Sequence, residues 1–231
     1  MTRIPTGIPG FDELIEGGFD ENSTNIIVGS AGTGKTIFAL NFLYNGITKY
    51  KENGIYISLE EKKERVYVHT ERFGWNLEDL EKKNKFVFVH YPAQQIEKFI
   101  EDAPYLKDLI KEHKIKRVVI DSATSLMLLQ KDAYARRQIF LKLMSIISGW
   151  GCTVLLTSEG TQKGDRLVPK FNIEYLVDGV VAVHTVRKGD VKDKALEIVK
   201  MRGTKHSHRL VPMKIVKEGI AVYPTQGVFN K

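Results

Sequence analysis

The densest chemistry in the sequence is the octapeptide GSAGTGKT, Gly29 to Thr36. It fits G-x-x-x-x-G-K-[ST] in full. Its glycines let successive backbone N–H groups turn into one concave nest. A nest built from Ser30, Ala31, Gly32, Thr33 and Gly34 suits phosphate oxygens, and a helix starting at Lys35 would add its positive end. Lys35 can reach β- and γ-phosphates, and Thr36 can ligate Mg²⁺. A glycine-rich turn that binds nothing would leave the Lys-Thr pair unexplained.

Three acidic or polar strand ends accompany this loop. Asp121 closes the apolar run RVVID, where a Walker-B carboxylate holds Mg²⁺. Glu60 and Glu61 close YISLEE, where a carboxylate could orient or deprotonate the water that attacks ATP. Glu60 is the stronger candidate, because Glu61 equally suits the acidic first turn of a helix. Thr157 to Glu159, in LLTSE, read either as γ-phosphate sensors or as an ordinary Ser/Thr turn.

The heptad KMRGTKH, Lys200 to His206, concentrates cations late in the chain. Side chains repeat every two residues along a strand, so Lys200 and Arg202 would share one face. Two cations on one face ahead of Gly203 suit a triphosphate better than a long polyanion. His206 and His208 lack a third His or Cys nearby in sequence to complete a zinc site. Arg136 and Arg137 read as a solvated or interface face of a helix.

The elements that must position these residues alternate. Apolar runs TNIIVG, GIYISLE, KFVFVHY, KRVVIDS and CTVLLTSE read as strands. Helical patterns lie between them: Lys35 to about Tyr50, KKERVYVHTERFGW ending near Gly74, IEKFIEDAPYLKDLIKEH with a break at Pro104, and AYARRQIFLKLMSIISGW. The first 23 residues are Gly- and Pro-punctuated, with one helical turn at FDELI. Strands alternating with helices imply a mainly parallel sheet covered on both faces, with its active edge at the carboxyl ends of the strands. After Glu159 the pattern changes. GTQKGDRLVPKFN reads as a basic loop, and the later β-rich runs, joined by KGD and KEG, read as antiparallel hairpins that extend the sheet. The expected architecture is one α/β domain over 1–231. It comprises an N-terminal interface segment (1–23), a nucleotide-binding core (24–159) and a loop plus β-hairpin extension (160–231).

Bulk properties bound the partners. The formal net charge of +7 favours anionic partners without specifying one. The single cysteine, Cys152, rules out a disulfide staple and a Cys-rich zinc site, and reads as a small buried hydrophobe. No apolar run approaches the ~20 residues of a membrane helix, and MTRIPTGIPG lacks the apolar stretch of a signal peptide. A cytoplasmic protein is expected.

The segments RIPTGIPGFDELIEGGF, GSAGTGKT, YISLEE, RFGWNL, VVIDSATSL, RRQIF and KMRGTKH stand in an order and spacing that resembles KaiC-type ATPases of the RecA superfamily. The likeness runs from about Arg3 to Val222. It implies a RecA-like P-loop core, ATP and Mg²⁺ as ligands, and a homo-oligomeric ring, typically hexameric, with ATP at subunit interfaces. It also implies residue roles. Gly32 to Thr36 hold phosphates and metal, Glu60 with Glu61 beside it is the catalytic carboxylate, and Asp121 is Walker B. Lys200, Arg202 and His206 approach the ATP of the neighbouring subunit, and Arg72 in ERFGW lies near the nucleotide. The family's two-domain clock member carries a phosphorylated Ser/Thr pair where this single-domain chain has Glu174 and Tyr175, so autophosphorylation of that type is not expected. Two competing readings remain. One is a DNA-binding recombination or repair accessory, using Lys163, Arg166 and Lys170 on single strands. It is not favoured, because its segment has one aromatic, Phe171. The other is a signalling scaffold assembled by ATP with slow turnover.

Overall fold

In the computed structural model, residues 2–92, 95–163 and 166–228 are described. The N-terminal segment pairs with itself. Strand β1 (Arg3–Ile4) runs antiparallel to β2 (Phe19–Asp20), around a 3-10 turn at Asp12–Ile15. The core follows in alternation: β3 (Thr24–Gly29), α1 (Lys35–Tyr50), β4 (Asn53–Ser58), α2 (Lys63–Glu71), α3 (Leu77–Lys82), β5 (Phe86–His90), α4 (Ile96–Glu101), α5 (Ala103–Glu112), β6 (Ile115–Asp121), α6 (Ala123–Leu128), α7 (Ala133–Ser148) and β7 (Thr153–Lys163). Then come β8 (Arg166–Pro169), β9 (Gly179–Lys188), β10 (Val191–Met201), β11 (Val211–Val216) and β12 (Gly219–Val222).

The main sheet has the order β12-β11-β10-β9-β3-β7-β6-β4-β5, with β8 beside β7. From β5 to β9 every neighbour is parallel, and β9 to β12 are antiparallel. This is the expected α/β architecture, a parallel core continued by C-terminal hairpins within the same sheet. Alternate residues of each central strand feed two apolar clusters on opposite faces. Ile27, Val119, Leu155 and Val181 meet Phe38 and Phe42 of α1 on one side. Val28, Ile120 and Leu156 meet Leu126 of α6 and Phe140 and Leu143 of α7 on the other. Burial on both faces explains why these strands are apolar throughout.

Three expectations need correction. Most of the segment GTQKGDRLVPKFN is strand rather than loop. Strand β7 runs on to Lys163 and pairs antiparallel with β8, from Gly160↔Pro169 to Lys163↔Arg166. Its glycines and charges read as a loop because they break any apolar alternation, although Leu167 and Val168 of β8 are buried. The helix break near Pro104 falls two residues earlier, at Asp102, and Pro104 occupies the first turn of α5. Proline fits there, because first-turn N–H groups have no partner within the helix. The third concerns KKERVYVHTERFGW, where α2 stops at Glu71 and a separate short helix, α3, follows. Among the described residues, no helix is long and apolar enough to cross a membrane.

Candidate active site

Gly29 ends β3 and Lys35 begins α1, so the octapeptide wraps the carboxyl edge of the sheet. Gly32 (φ +75°) and Gly34 (φ +105°) adopt left-handed conformations that a side chain would strain. Gly34 is the N-cap of α1 and has no side-chain cap, which leaves the first N–H groups of a 16-residue helix open for a ligand. The Lys35 ammonium folds back on its own loop, donating to Gly29 O and Ser30 O at 3.0 Å each. Burial pushes Lys35 down from its ordinary value, while Asp121, Glu159 and Glu60 pull it back up. A cation surrounded by carboxylates and carbonyls is poised to exchange those partners for phosphate oxygens.

Thr36 donates to Asp121 Oδ2 at 2.8 Å, so the loop's hydroxyl and the carboxylate of β6 meet directly. Tyr56 of β4 donates to the same oxygen at 2.5 Å, and Thr157 of β7 donates to Oδ1. Burial, then the charge of Asp121, pushes the Tyr56 phenol well up, so it stays a donor. Hydroxyl and carboxylate oxygens are the hard donors Mg²⁺ prefers, so the pair fits that ion. Elsewhere, among the described residues, no three His, Cys, Asp or Glu side chains group as a metal site. The His206 and His208 rings lie tilted against each other, with centroids 4.8 Å apart.

Glu60 follows β4 at the same edge. Ser122 Oγ and Ser125 Oγ both donate to its Oε1, the second at 2.5 Å. Glu61 is turned elsewhere, 3.6 Å from Arg65 Nε and 3.9 Å from His69 Nδ1. It sits on the rim of a cavity of about 260 Å³ beside the first turn of α1. Ile37, Leu40, Val66, Phe73 and Trp75 supply the apolar wall of this cavity, and Arg72 and His69 lie at its polar side. A second hollow of about 220 Å³ opens over Gly32, Gly34, Lys35 and Thr36, against Ile215. Thr36 and Ile37 line both, so phosphate nest and apolar recess adjoin. At the end of β7, Ser158 bonds Thr124 of α6 at 3.0 Å, and Thr124 Oγ1 accepts from Glu159 N.

One cation at this edge escaped the sequence reading. Lys194, near the start of β10, donates to Gly32 O at 2.5 Å across 162 residues. Its register opposite Thr185 of β9 brings it over the loop, and no local motif signals that pairing. Tyr56 was missed for the same reason, and Thr157, read as a γ-phosphate sensor or a turn residue, was not foreseen as a partner of Asp121, since only the strand order β4-β6-β7 brings the two to that carboxylate.

Lys200 and Arg202 lie at the other end of the sheet. Both reach the 174–178 segment: Lys200 donates to Glu174 O and Val177 O, and Arg202, just past the end of β10, to Tyr175 O and Asp178 Oδ1. The following loop rests on the N-terminal segment, through Arg3 to Thr204 Oγ1 (2.8 Å) and Ser207 N to Leu14 O (2.9 Å). His206 Nδ1 meets Ser207 O, and neither His206 nor the two cations touches this chain's own phosphate loop. For the DNA reading, residues 164–165 and the side chains of Lys163 and Arg166 lie outside those described. Lys170 pairs with Glu159, and Phe171 lies under Arg136 (4.9 Å) and Lys170 (5.5 Å). The one aromatic of that segment is already engaged by the chain's own cations.

A glycine nest on a strand-to-helix turn, with its hydroxyl on a neighbouring strand's carboxylate, defines a P-loop nucleotide-binding protein of the RecA type. Comparison with known proteins narrows this. The family matched over residues 4–227 is the KaiC ATPase family, and the chain belongs to it. A UPF0273 protein of Thermotoga maritima is 39% identical, covering 98% of both chains. A UPF0273 protein of Methanocaldococcus jannaschii is 37% identical over 97% of each. The circadian clock oscillator protein KaiC of Prochlorococcus marinus is 32% identical over 97% of this chain but only 46% of its own length. Among solved structures, a KaiC-like protein of Pyrococcus horikoshii superposes with a TM-score of 0.87 at 37% identity, covering 96% of this chain and 99% of that one. The chain is thus a single-domain, ATP-binding KaiC-like protein of the RecA superfamily.

Proposed function

We propose that the protein is a Mg²⁺-dependent ATPase that assembles as a closed ring, six-membered by family resemblance, with ATP at each subunit interface and a regulatory role. The contact between Thr36 and Asp121 carries this reading, because it joins the phosphate loop to the metal-holding strand at 2.8 Å. Thr36 and Asp121 would hold Mg²⁺, which when bound neutralises charge on the β- and γ-phosphate oxygens. The nest 30–34 and Lys35 bind the triphosphate. Lys194 adds a second cation over the nest from the same chain. The apolar recess, with Arg72 at its side, receives the base end of the nucleotide.

Glu60 orients the attacking water and takes its proton. The water oxygen then bonds to the γ-phosphorus, the bond to the bridging oxygen of ADP breaks, and the proton passes to the released phosphate. Lys200, Arg202 and His206 serve the neighbour's nucleotide, which the opposite placement of KMRGTKH and the phosphate loop supports. The 1–23 segment, 24–159 core and 160–231 extension are taken as parts of one domain, the first buttressing the KMRGTKH loop.

Phosphate release by wild type and Glu60→Gln with Mg²⁺ and ATP tests the reading. Glu60→Gln should retain ATP binding and lose turnover by about 10²-fold or more. Wild-type turnover in Glu60→Gln would overturn Glu60 as the water-activating group.

A further inference from the structure

Glu60 is an exposed glutamate, yet its carboxylate is not free to wander. Two hydroxyls converge on one of its oxygens, Oε1, from a helix of a different strand's connection. Both donors, Ser122 and Ser125, are buried, at 5% and 8% exposure. Their Oγ atoms lie 3.1 Å apart, and Ser122 Oγ also accepts from Ser125 N at 3.4 Å. The helix carrying them does not depend on Glu60 for its place. Leu126 and Met127 are fully buried, and Thr124 ties the helix to Ser158 and Glu159 of β7. The rigid partner is therefore the serine pair, and the held partner is the glutamate. An unclamped glutamate samples several rotamers about each side-chain bond, and most of them point its carboxylate away from any one water.

We propose that Ser125, acting with Ser122, is a positioning residue for water activation: the two hydroxyls pin Oε1 of Glu60 and leave Oε2 to accept from the attacking water. The proposal rests on reading Glu60 as the water-activating carboxylate. Ser125 is the cleaner probe of the pair, because Ser122 follows Asp121 directly and caps α6, so its replacement would disturb more than the clamp. Ser125 has no link to the phosphate loop, so its contribution should appear in turnover and not in nucleotide affinity.

The test compares wild type, Ser125→Ala, Ser125→Thr, Glu60→Gln and the Ser125→Ala/Glu60→Gln double variant. Phosphate release at saturating ATP gives kcat, and titration with a fluorescent ATP analogue gives affinity. Ser125→Ala should lower kcat about tenfold, the loss of one hydrogen bond to a charged group. Affinity should stay within about twofold. Ser125→Thr, which keeps the hydroxyl, should recover most of the rate. In the Glu60→Gln background, Ser125→Ala should change nothing further, because the clamp acts through Glu60. Wild-type turnover in Ser125→Ala alongside a dead Glu60→Gln would overturn the clamp and leave the role of Glu60 standing. Full turnover in Glu60→Gln would overturn both. A fall in affinity parallel to the fall in rate, unrescued by threonine, would mark Ser125 as structural and also overturn the clamp.

Discussion

Arg202→Ala separates a cation acting within its own chain from one acting on the next. Lys200 pairs with Val180, and Gly29 of the phosphate loop lies beside Val183 on the other side of β9. Three residues of strand and two strand spacings therefore separate Lys200 from Gly29 by roughly 14 Å, with Arg202 farther still. The Arg202 guanidinium is tied to Asp178 and Tyr175 at that distant end. Its ion pair with Asp178 spans 3.2 Å, with side chains 54% and 40% exposed. Pairs this exposed contribute about 0–1 kcal/mol, so Arg202→Ala should fold and bind ATP normally. A cation delivered across an interface contributes about 10³-fold or more in turnover, so the variant should be nearly inactive. Lys35→Ala should be inactive as well, for want of ATP. Mixing the two restores function only if the cation acts across the interface. In a random 1:1 assembly, about a quarter of interfaces would pair an intact phosphate loop with an intact neighbouring Arg202. Phosphate release should return to about a quarter of the wild-type rate on mixing. A co-assembled mixture that stays at background would refute the reasoning, as would Arg202→Ala turning over normally alone.

Further outcomes follow from the same geometry. Lys194→Met removes the charge over Gly32 and should weaken ATP binding about tenfold, measured by fluorescent-nucleotide titration. Unchanged affinity would reduce Lys194 to a tie between β10 and the loop. Glu52→Gln strips the charge partner, at 2.6 Å, from the fully buried Arg117, and should lower unfolding free energy by about 3 kcal/mol in urea titration. The loss falls at the low end for a broken buried pair, because Glu52 is 25% exposed and Arg117 keeps its bond to Phe42 O. Burial pushes the Cys152 thiol up to about 11, so native protein should resist alkylation at pH 8 and react only on unfolding. The stability contributed by burying this neutral thiol is fully present below its unfolded value of about 8.5 and declines as pH rises towards the folded value.

The parts of the site that lie together in sequence were legible there. The octapeptide names its own ligand type, and Asp121 at the end of β6 and Glu60 just past β4 are acids that a parallel sheet must bring to the phosphate edge. Spacing alone set Lys200 and Arg202 close together, and both reach the 174–178 segment. What stayed hidden depends on pairing between distant segments. Lys194 reaches Gly32 only through the β9–β10 register, and Tyr56 and Thr157 reach Asp121 only through strand order. The Ser122–Ser125 clamp needs α6, whose six residues are too few to display a helical period. The β1–β2 ribbon has two residues per strand, too short for any alternation to show. The β7–β8 hairpin carries glycines and charges that mimic a loop, although Leu167 and Val168 are buried. Family likeness supplied the role of Arg72, which spacing would not have suggested, and the cavity beside α1 supplies a physical setting for it.

The proposed site is composite, with phosphate loop, Asp121 and Glu60 from one copy and Lys200 and Arg202 from the next. The most direct measurement is an experimental structure of the assembled protein with Mg²⁺ and a non-hydrolysable ATP analogue. The expected result is the triphosphate on Lys35 and the 30–34 nest, with the Arg202 guanidinium of a second copy in hydrogen-bond contact with its γ-phosphate. A fully bound nucleotide with no residue of a second copy in contact would contradict it.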